Sequence, residues 1–220
     1  MKSTTKTDNP KGARREKQKA ETRTEILISA RSLFETKGFE KTTVREVAAK
    51  AGVGVGTIFS HFPDKESLLI ASMIDDLDRQ NQSAWETMPR DAPLKEKMLH
   101  LAVGGYTAWL TRPALSRVLI REMCFTTGRA RDQLRALDDQ AMKQVADLLE
   151  QSRLNGEIRI DADPVLISRI AFSVYLTTVL FRLDDSAPAV SGELLAEKLE
   201  PMIEETRRFL DQMFEGINPR

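Results

Sequence analysis

Thr57, Ser60 and His61 lie within five residues of one another, flanked by Val55, Gly56 and Phe59 and followed closely by Lys65. Two hydroxyls and an imidazole at this spacing are hydrogen-bonding groups of the kind that reach base edges or phosphate oxygens, and a lysine just beyond them suits a phosphate. Thr57 and Ser60 are three apart, so a short helix places them on one face. Ile58 and Phe62, four apart, read as core, and Phe59 offers only an apolar contact, for instance to a thymine methyl. Gly52, Gly54 and Gly56 do not form a dinucleotide-binding fingerprint, because they follow a helical pattern and not a strand.

Other chemistry is poorly served. The chain has one cysteine, Cys124, and two histidines, His61 and His100, which excludes an intramolecular disulfide and any readable metal-ligand cluster. An enzyme with a helical cavity would have to use Cys124 as nucleophile and His100 as base. Nothing local activates that thiol, and the two residues fall on separate helices. We therefore expect no enzyme, no cofactor and no metal.

The elements that must position the polar group at 55–61 are three short helices. Ile26, Leu27, Ala30, Leu33 and Phe34 recur at helical spacing and stop at Lys37-Gly38, which gives a first helix with one apolar face and a glycine at its end. Thr42 or Thr43 then caps a second helix, whose apolar face is Val44, Val47, Ala48 and Ala51. Gly52-Val53-Gly54 ends it with residues that tolerate a sharp turn. A very short third helix follows from Val55 to Phe62, stopped by Pro63. This is a helix-turn-helix pattern, which points to DNA.

The stretch from Thr22 to Leu69 resembles the N-terminal DNA-binding domain of the TetR family of bacterial transcriptional regulators. The likeness is carried by a helix ending in LF-x-x-x-G-F, then TTV-R-E-V-A-x-x-A-G-V, then G-T-I-F-x-H-F and K-E-x-L. It implies that the third helix enters the major groove of double-stranded DNA while the second, beginning at Thr43 and Arg45, lies across the backbone. The implied DNA-contacting set is Thr43, Arg45, Val55, Gly56, Thr57, Phe59, Ser60, His61 and Lys65. Two positions depart from the family pattern. Gly54 stands where serine is common, removing a capping hydroxyl, and Phe59 stands where tyrosine is usual, removing a phenol that reaches phosphate.

Charge is divided unevenly. The chain is formally neutral, yet residues 1–65 carry fourteen Lys or Arg against eight Asp or Glu, and residues 66–220 carry nineteen against twenty-five. A basic end and an acidic remainder are expected when one part binds a polyanion and the other does something else. Much of the surplus precedes the first helix, in Lys2, Lys6, Lys11, Arg14, Arg15, Lys17, Lys19 and Arg23. With almost no apolar residue before Ile26, residues 1–20 read as a basic, disordered arm, either a solvated leader or an arm for the minor groove or phosphates.

From Asp64 onward the pattern is helical throughout. Further helices are expected from Asp64 to about Met88, Lys95 to Leu110, Pro113 to about Thr126, Arg131 to Leu154, and Asp163-Pro164 to about Leu183, with a last one from near Ser191. Pro201 either kinks that last helix or marks a restart. The fold class is all-α, about nine helices, with a helix-turn-helix domain at 21–66 and a larger effector-binding and dimerisation domain at 67–220. No apolar leader follows Met1, and the most apolar segment, Ile170 to Phe181, is too short to span a bilayer. A cytoplasmic protein with no membrane partner is expected.

The last two helices carry more apolar surface than one domain needs: Leu195, Leu199, Met202, Phe209 and Met213 form one seam of the last helix, with Ile203, Leu210 and Phe214 beside it, and the helix before it is apolar almost all round, through Val165, Leu166, Ile167, Ile170, Phe172, Val174, Leu176, Val179, Leu180 and Phe181. A second copy of the chain is the natural cover, and the resemblance implies a homodimer built from these two helices. It also implies a small-molecule pocket enclosed by the middle helices, for which Trp85, Tyr106, Trp109, Met123, Phe125, Phe172 and Tyr175 are the candidate lining residues. Arg121, Glu122 and Arg169 lie in otherwise apolar helices and either pair together or hold a polar head group. The expected function is that of a repressor released from a palindromic operator by a small, largely apolar effector. An activator, or a DNA-binding protein without an effector, is the alternative.

Overall fold

The structure, a computed structural model, describes the backbone of residues 10–125, 129–183 and 190–219; side chains are described for these except 10–13, 122–125 and 129–131. Every regular element among the described residues is a helix. In chain order they are α1 (Pro10–Lys37), α2 (Val44–Lys50), α3 (Val55–His61), α4 (Lys65–Glu86), α5 (Leu94–Thr111), α6 (Pro113–Phe125), α7 (Arg129–Leu154), α8 (Pro164–Arg182) and α9 (Gly192–Ile217). The chain divides into two compact units after Ser72, inside α4, a few residues beyond the boundary expected at 66.

α1 is longer than its apolar pattern suggests. The sequence pattern predicts disorder over residues 10–20, but the helix begins at Pro10 and spans 28 residues. The reason lies in propensity. Residues 13–23 are rich in Ala, Arg, Lys, Glu and Gln, which favour helix without any burial, proline suits a helix start, and Lys17 faces Glu21 one turn on at 3.9 Å. α1 ends as expected at Gly38, which takes φ +85° while its N–H donates to the Phe34 carbonyl at 3.1 Å.

Of the two threonines offered as the cap of α2, Thr43 takes the role. Its hydroxyl accepts from the Glu46 N–H, and the Glu46 carboxylate accepts from the Thr43 N–H at 2.9 Å, so two otherwise orphaned donors are satisfied reciprocally. Thr42 is buried instead and donates to the carbonyls of Gly38 and Leu33. α3 starts at Gly54 with no side-chain cap. The core of this unit is Ile26, Leu27, Ala30, Phe34, Phe39, Val47, Ala48, Ile58, Phe62, Leu68 and Leu69, all buried.

In the second unit α9 packs along α5, and α8 along α7 and α9. A continuous core joins Leu94, Met98, Leu99, Leu149, Ile158, Ile167, Leu210 and Phe214. α9 runs unbroken through Pro201, so that residue marks no restart. The helix does not present the seam expected of it. Met202, Thr206, Leu210 and Phe214, at strict four-residue spacing, face inward, and Phe209 and Met213 lie against the same core. Most of the exposed large apolar side chains of this unit belong to α8, with Leu194 exposed at the start of α9 and Leu154 and Ile160 near the end of α7. α8 is 19 residues long, more than the twelve-residue apolar stretch and within reach of bilayer-spanning length. Its inner face of Ile167, Ser168, Thr178 and Val179 is nevertheless buried in the unit, as in a core helix.

The cap of α2 yields a test. Lys37 and the Thr43 groups hold the Glu46 carboxyl down at about 2. A carboxyl whose folded value lies below its unfolded one stabilises the fold above the unfolded value and loses that contribution as pH falls from about 4.5 towards 2. Thr43→Ala should lower stability by about 1 kcal/mol at neutral pH, and Glu46→Gln should flatten the acid limb of the stability profile between those values. Chemical denaturation at a series of pH values reads both effects.

Candidate nucleic-acid interface and effector cavity

α3 sorts its residues as its spacing requires. Ile58 and, just past the helix, Phe62 are buried, whereas Gly56, Phe59 and Ser60 are exposed and Val55, Thr57 and His61 half-buried. Phe59, a large apolar side chain, stands 50% exposed, an aromatic surface open to contact from outside the unit. The Ser60 hydroxyl donates to the Thr57 carbonyl at 2.7 Å and keeps its lone pairs outward. Thr43 and Arg45 stand exposed at the start of α2.

The long α1 adds a feature that the sequence pattern does not predict. Lys19 and Arg23 are close enough to His61 to depress its pKa, together with a larger effect of desolvation, and the Arg23 guanidinium lies 5.4 Å from the centre of the Phe62 ring. The basic part of α1 therefore runs beside the C-terminal end of α3. Arg14, Arg15, Lys17 and Lys19 are exposed there. Lys19 and Arg23 thus share a surface with His61 of α3; the expected cations Lys2, Lys6 and Lys11 lie outside the described side chains.

Lys65 requires a correction. Expected to meet a phosphate, its ammonium instead donates to the carbonyls of Phe39 at 3.0 Å and Thr42 at 3.3 Å, reaches that of Glu40 at 3.5 Å, and lies 4.2 Å from the centre of the Phe39 ring. The carbonyls are those left over by the connection between α1 and α2, and a charged donor is strongly held by several such acceptors. Lys65 positions the head; it is not a free cation.

The second unit contains a cavity of ≈ 180 Å³, more than ten times the roughly 10–15 Å³ that one water needs. α4 contributes Leu77, Asn81 and Trp85 from one face. α5 contributes Met98, Leu101, Ala102, Gly105, Ala108 and Trp109; α7 contributes Leu134, Leu137, Asp138, Ala141, Met142 and Val145; α8 contributes Ser168, Ala171, Phe172, Tyr175 and Leu176. One wall is a hydrogen-bonded aromatic cluster. Trp109 Nε1 donates to the Tyr175 hydroxyl at 2.6 Å, Tyr175 stacks on Tyr106 with centroids 5.0 Å apart, and the Tyr106 and Thr206 hydroxyls bond at 2.7 Å. Gly105 makes this possible: a Cβ there would lie 2.9 Å or less from the Tyr175 ring.

Of the candidate lining residues, Trp85, Trp109, Phe172 and Tyr175 meet at the cavity. Tyr106 does not; it is fully buried behind Tyr175 with its hydroxyl spent on Thr206. Met123 and Phe125 lie outside the described side chains, as does Glu122. Arg121 and Arg169 are exposed and do not line the cavity. The charged residue that does, beside the neutral polar Asn81 and Ser168, is Asp138, which is not among the expected lining residues. Its signal was legible as a carboxylate interrupting the apolar stripe Leu134, Leu137, Ala141 and Val145. Burial, then the neighbouring charge of Asp139, pushes its carboxyl up to about 6. His100, the base of the enzymatic alternative, is committed to the Ala84 carbonyl and the Thr87 hydroxyl at the end of α4, both at 3.1 Å; Cys124 lies outside the described side chains.

A helix-turn-helix head on a helical unit with an internal cavity defines a class of regulator, and comparison with known proteins agrees. Residues 26–72 match the family model described as "Bacterial regulatory proteins, tetR family". The repressor AcnR of Corynebacterium diphtheriae is 28% identical over 158 residues, 72% of this chain and 76% of its own. The repressor KstR of Mycobacterium tuberculosis is 26% identical over 170 residues, covering 77% and 74%. Among solved structures, the regulator FadR of Bacillus subtilis in complex with stearoyl-CoA aligns with a TM-score of 0.65 at 20% identity, over 85% of this chain and 96% of that one. Residues 26–72 therefore carry a DNA-binding domain of the TetR type, and over most of its length the chain is similar to transcriptional repressors.

Two substitutions check the corrected roles. Lys65→Met should lower the melting temperature, with a cost of roughly 1–3 kcal/mol for leaving backbone acceptors unpaired, and should do so without DNA present. Asp138→Asn should act oppositely. A carboxyl with a raised folded pKa favours the fold through its bound proton at low pH, and that advantage is lost as pH rises through about 6. The variant should therefore gain most in melting temperature over the parent at pH 8 and less at pH 5, where only part of the advantage has been lost. A parent and variant that differ equally at both pH values would contradict the assigned environment.

Proposed function

We propose that the protein is a homodimeric repressor whose two α3 helices enter successive major grooves of a palindromic operator and that a small, largely apolar effector in the cavity releases it. The observation that carries this reading is the surface on which α3, at His61, adjoins the cations Lys19 and Arg23 of α1. On it, Val55, Gly56, Thr57, Phe59 and Ser60 read bases. His61, Thr43, Arg45 and the exposed Arg14, Arg15, Lys17 and Lys19 meet phosphates. The protein acts where its DNA is, in the cytoplasm.

The dimer reading rests on α8. Leu166, Ile170, Ser173, Thr177, Leu180 and Phe181 form an outward stripe at spacings of four and three. Leu166, Ile170, Leu180 and Phe181 are 54, 44, 47 and 85% exposed, and only 22% of the apolar span is buried. The stripe is effectively apolar along its whole length. Ser173 and Thr177 turn their hydroxyls back to the carbonyls of Arg169 and Ser173 at 2.8 and 2.7 Å, so they offer small, self-satisfied positions where another helix can come close. A second copy of the stripe satisfies such a surface by two-fold symmetry. The open face of α9 carries Glu197, Glu200, Glu204, Arg208 and Gln212, which suits a rim more than a centre. FadR of B. subtilis was solved with stearoyl-CoA; at 20% identity that supports a cavity in the fold, and the ligand class of this chain must be read from its own lining.

Three measurements test the proposal. Leu180→Asp with Phe181→Asp should give monomer in sedimentation and abolish operator binding, because one half-site holds too little energy; a dimer that persists places the interface elsewhere. Thr57→Ala should relax preference at one base pair of each half-site and cost roughly 1–3 kcal/mol on the cognate site. Replacing Arg14, Arg15, Lys17 and Lys19 with Gln should weaken binding to all DNA alike and lower the salt slope by up to about one unit for each phosphate no longer neutralised. An unchanged slope assigns those residues to solvent.

A further inference from the structure

The cavity is apolar on nearly every side, yet one carboxylate faces it. Asp138 occupies the cavity side of α7, between Leu134 and Leu137 on one turn and Ala141 and Met142 on the next. Among the described residues no cation pairs with it and no hydrogen bond reaches it; the one charge that acts on it is the like charge of Asp139. The opposite walls present the aromatic side chains of Trp85, Trp109, Phe172 and Tyr175. Tyr175 lies near enough for its own ionisation to be opposed by the Asp138 charge, and its hydroxyl is already occupied by the indole of Trp109.

A guest entering this space strips water from Asp138. A neutral apolar guest leaves the carboxylate with less solvent and nothing in return, and an anionic head group adds repulsion; both are costly in a low-dielectric site. A cation reverses the balance, since an ammonium pairs with the carboxylate in water-poor surroundings and aromatic faces attract a positive charge further. Accepting the cavity as the effector site, we propose that the effector is a lipophilic monocation, an apolar body bearing one amine whose ammonium pairs with Asp138. Hydrocarbon fills the space between Met98, Leu101, Met142 and Leu176, and the one charge is read at α7.

The test uses the full-length protein and three series of probes matched in chain length from hexyl to dodecyl: alkylammonium, alkanol and alkanoate. Both tryptophans of the chain line the cavity, so their fluorescence reports occupancy directly. Within each length the ammonium should bind at least about tenfold more tightly than the alcohol, equal to about 1.4 kcal/mol, and the alkanoate more weakly than either. Asp138→Asn should bring the ammonium to within about twofold of the alcohol by weakening the ammonium, while alcohol affinity is kept or raised because no carboxylate is left to desolvate. The ranking in the parent protein is a complete test even if the variant does not fold. If alcohol and ammonium bind alike, or if the variant keeps the ammonium preference, the charge reading is overturned and the cavity reading stands. If no probe of any length binds, the cavity is not an effector site and both readings fall.

Discussion

The fixing of the first turns of α4 against α1 and the α1–α2 connection is the constraint on which the N-terminal unit rests. Three interactions hold them. The Lys65 ammonium gathers the leftover carbonyls between α1 and α2, the Asp64 carboxylate accepts from the Ser67 N–H at 2.6 Å, and Arg31 of α1 donates to the Ser72 carbonyl at 2.8 Å. The last of these falls at the residue where the compact head ends. Two are charge-assisted contacts to backbone acceptors of other segments, which carry more energy than neutral hydrogen bonds and leave costly orphaned groups when broken. Through Ser72, α4 is part of the head. Beyond it the same unbroken helix supplies Leu77, Asn81 and Trp85 to the cavity wall.

The second unit departs from optimal packing where the cavity lies. Interiors are close-packed, and both an unfilled space and a desolvated carboxylate without a counter-charge lower stability. Here the two are found together, with Asp138 on the wall of the space. Elsewhere the same unit is economical: Tyr106 finds Thr206, Thr178 reaches Glu205, His100 closes the end of α4, and no described buried side-chain polar atom lacks a partner. Gly104 and Gly105 show how finely the walls are drawn in. A Cβ on the first would come within 2.6 Å of that of Ala84, and one on the second would enter the Tyr175 ring. A helix that approaches α4 with one glycine and α8 with the next leaves little freedom in the cavity's shape.

Much of this fold was legible because its elements announce themselves by period and punctuation. The starts at Pro113 and Asp163-Pro164, the stops at Gly38 and near Gly156, and the core positions Ile58 and Phe62 follow from apolar spacing and capping chemistry. What was not legible has consistent physical causes. The first turns of α1 carry no apolar stripe, so a burial criterion passed over a helix held by propensity alone. The roles of Lys65 and Tyr106 depended on partners 23 to 100 residues away, which no local spacing encodes. Much of the seam read on α9 turns inward because an amphipathic helix shows its apolar face without showing what covers it: α5 and the shared core take most of it, and the outer face of α8 keeps the larger exposed apolar surface. Asp138 was a polar residue in an apolar register, a signal that lies in the mismatch and not in the motif.

A shared helix does not by itself make a switch. An effector shifts an equilibrium only by its differential affinity for two states, so a ligand that fits the cavity equally well in both leaves DNA binding untouched however tightly it is held. The two ends of α4 are unequal in this respect. Its first turns are locked by charge-assisted bonds, whereas Leu77, Asn81 and Trp85 lie on one face at four-residue intervals against a space not filled by protein. A guest that prefers one position of these side chains over another is what a switch at this cavity would require. For the proposed dimer, half-sites about 34–36 Å apart set a narrow tolerance. A coupling of about 1–3 kcal/mol, small beside the energy of the contacts holding α4 to the head, is already a 5- to 150-fold change in affinity.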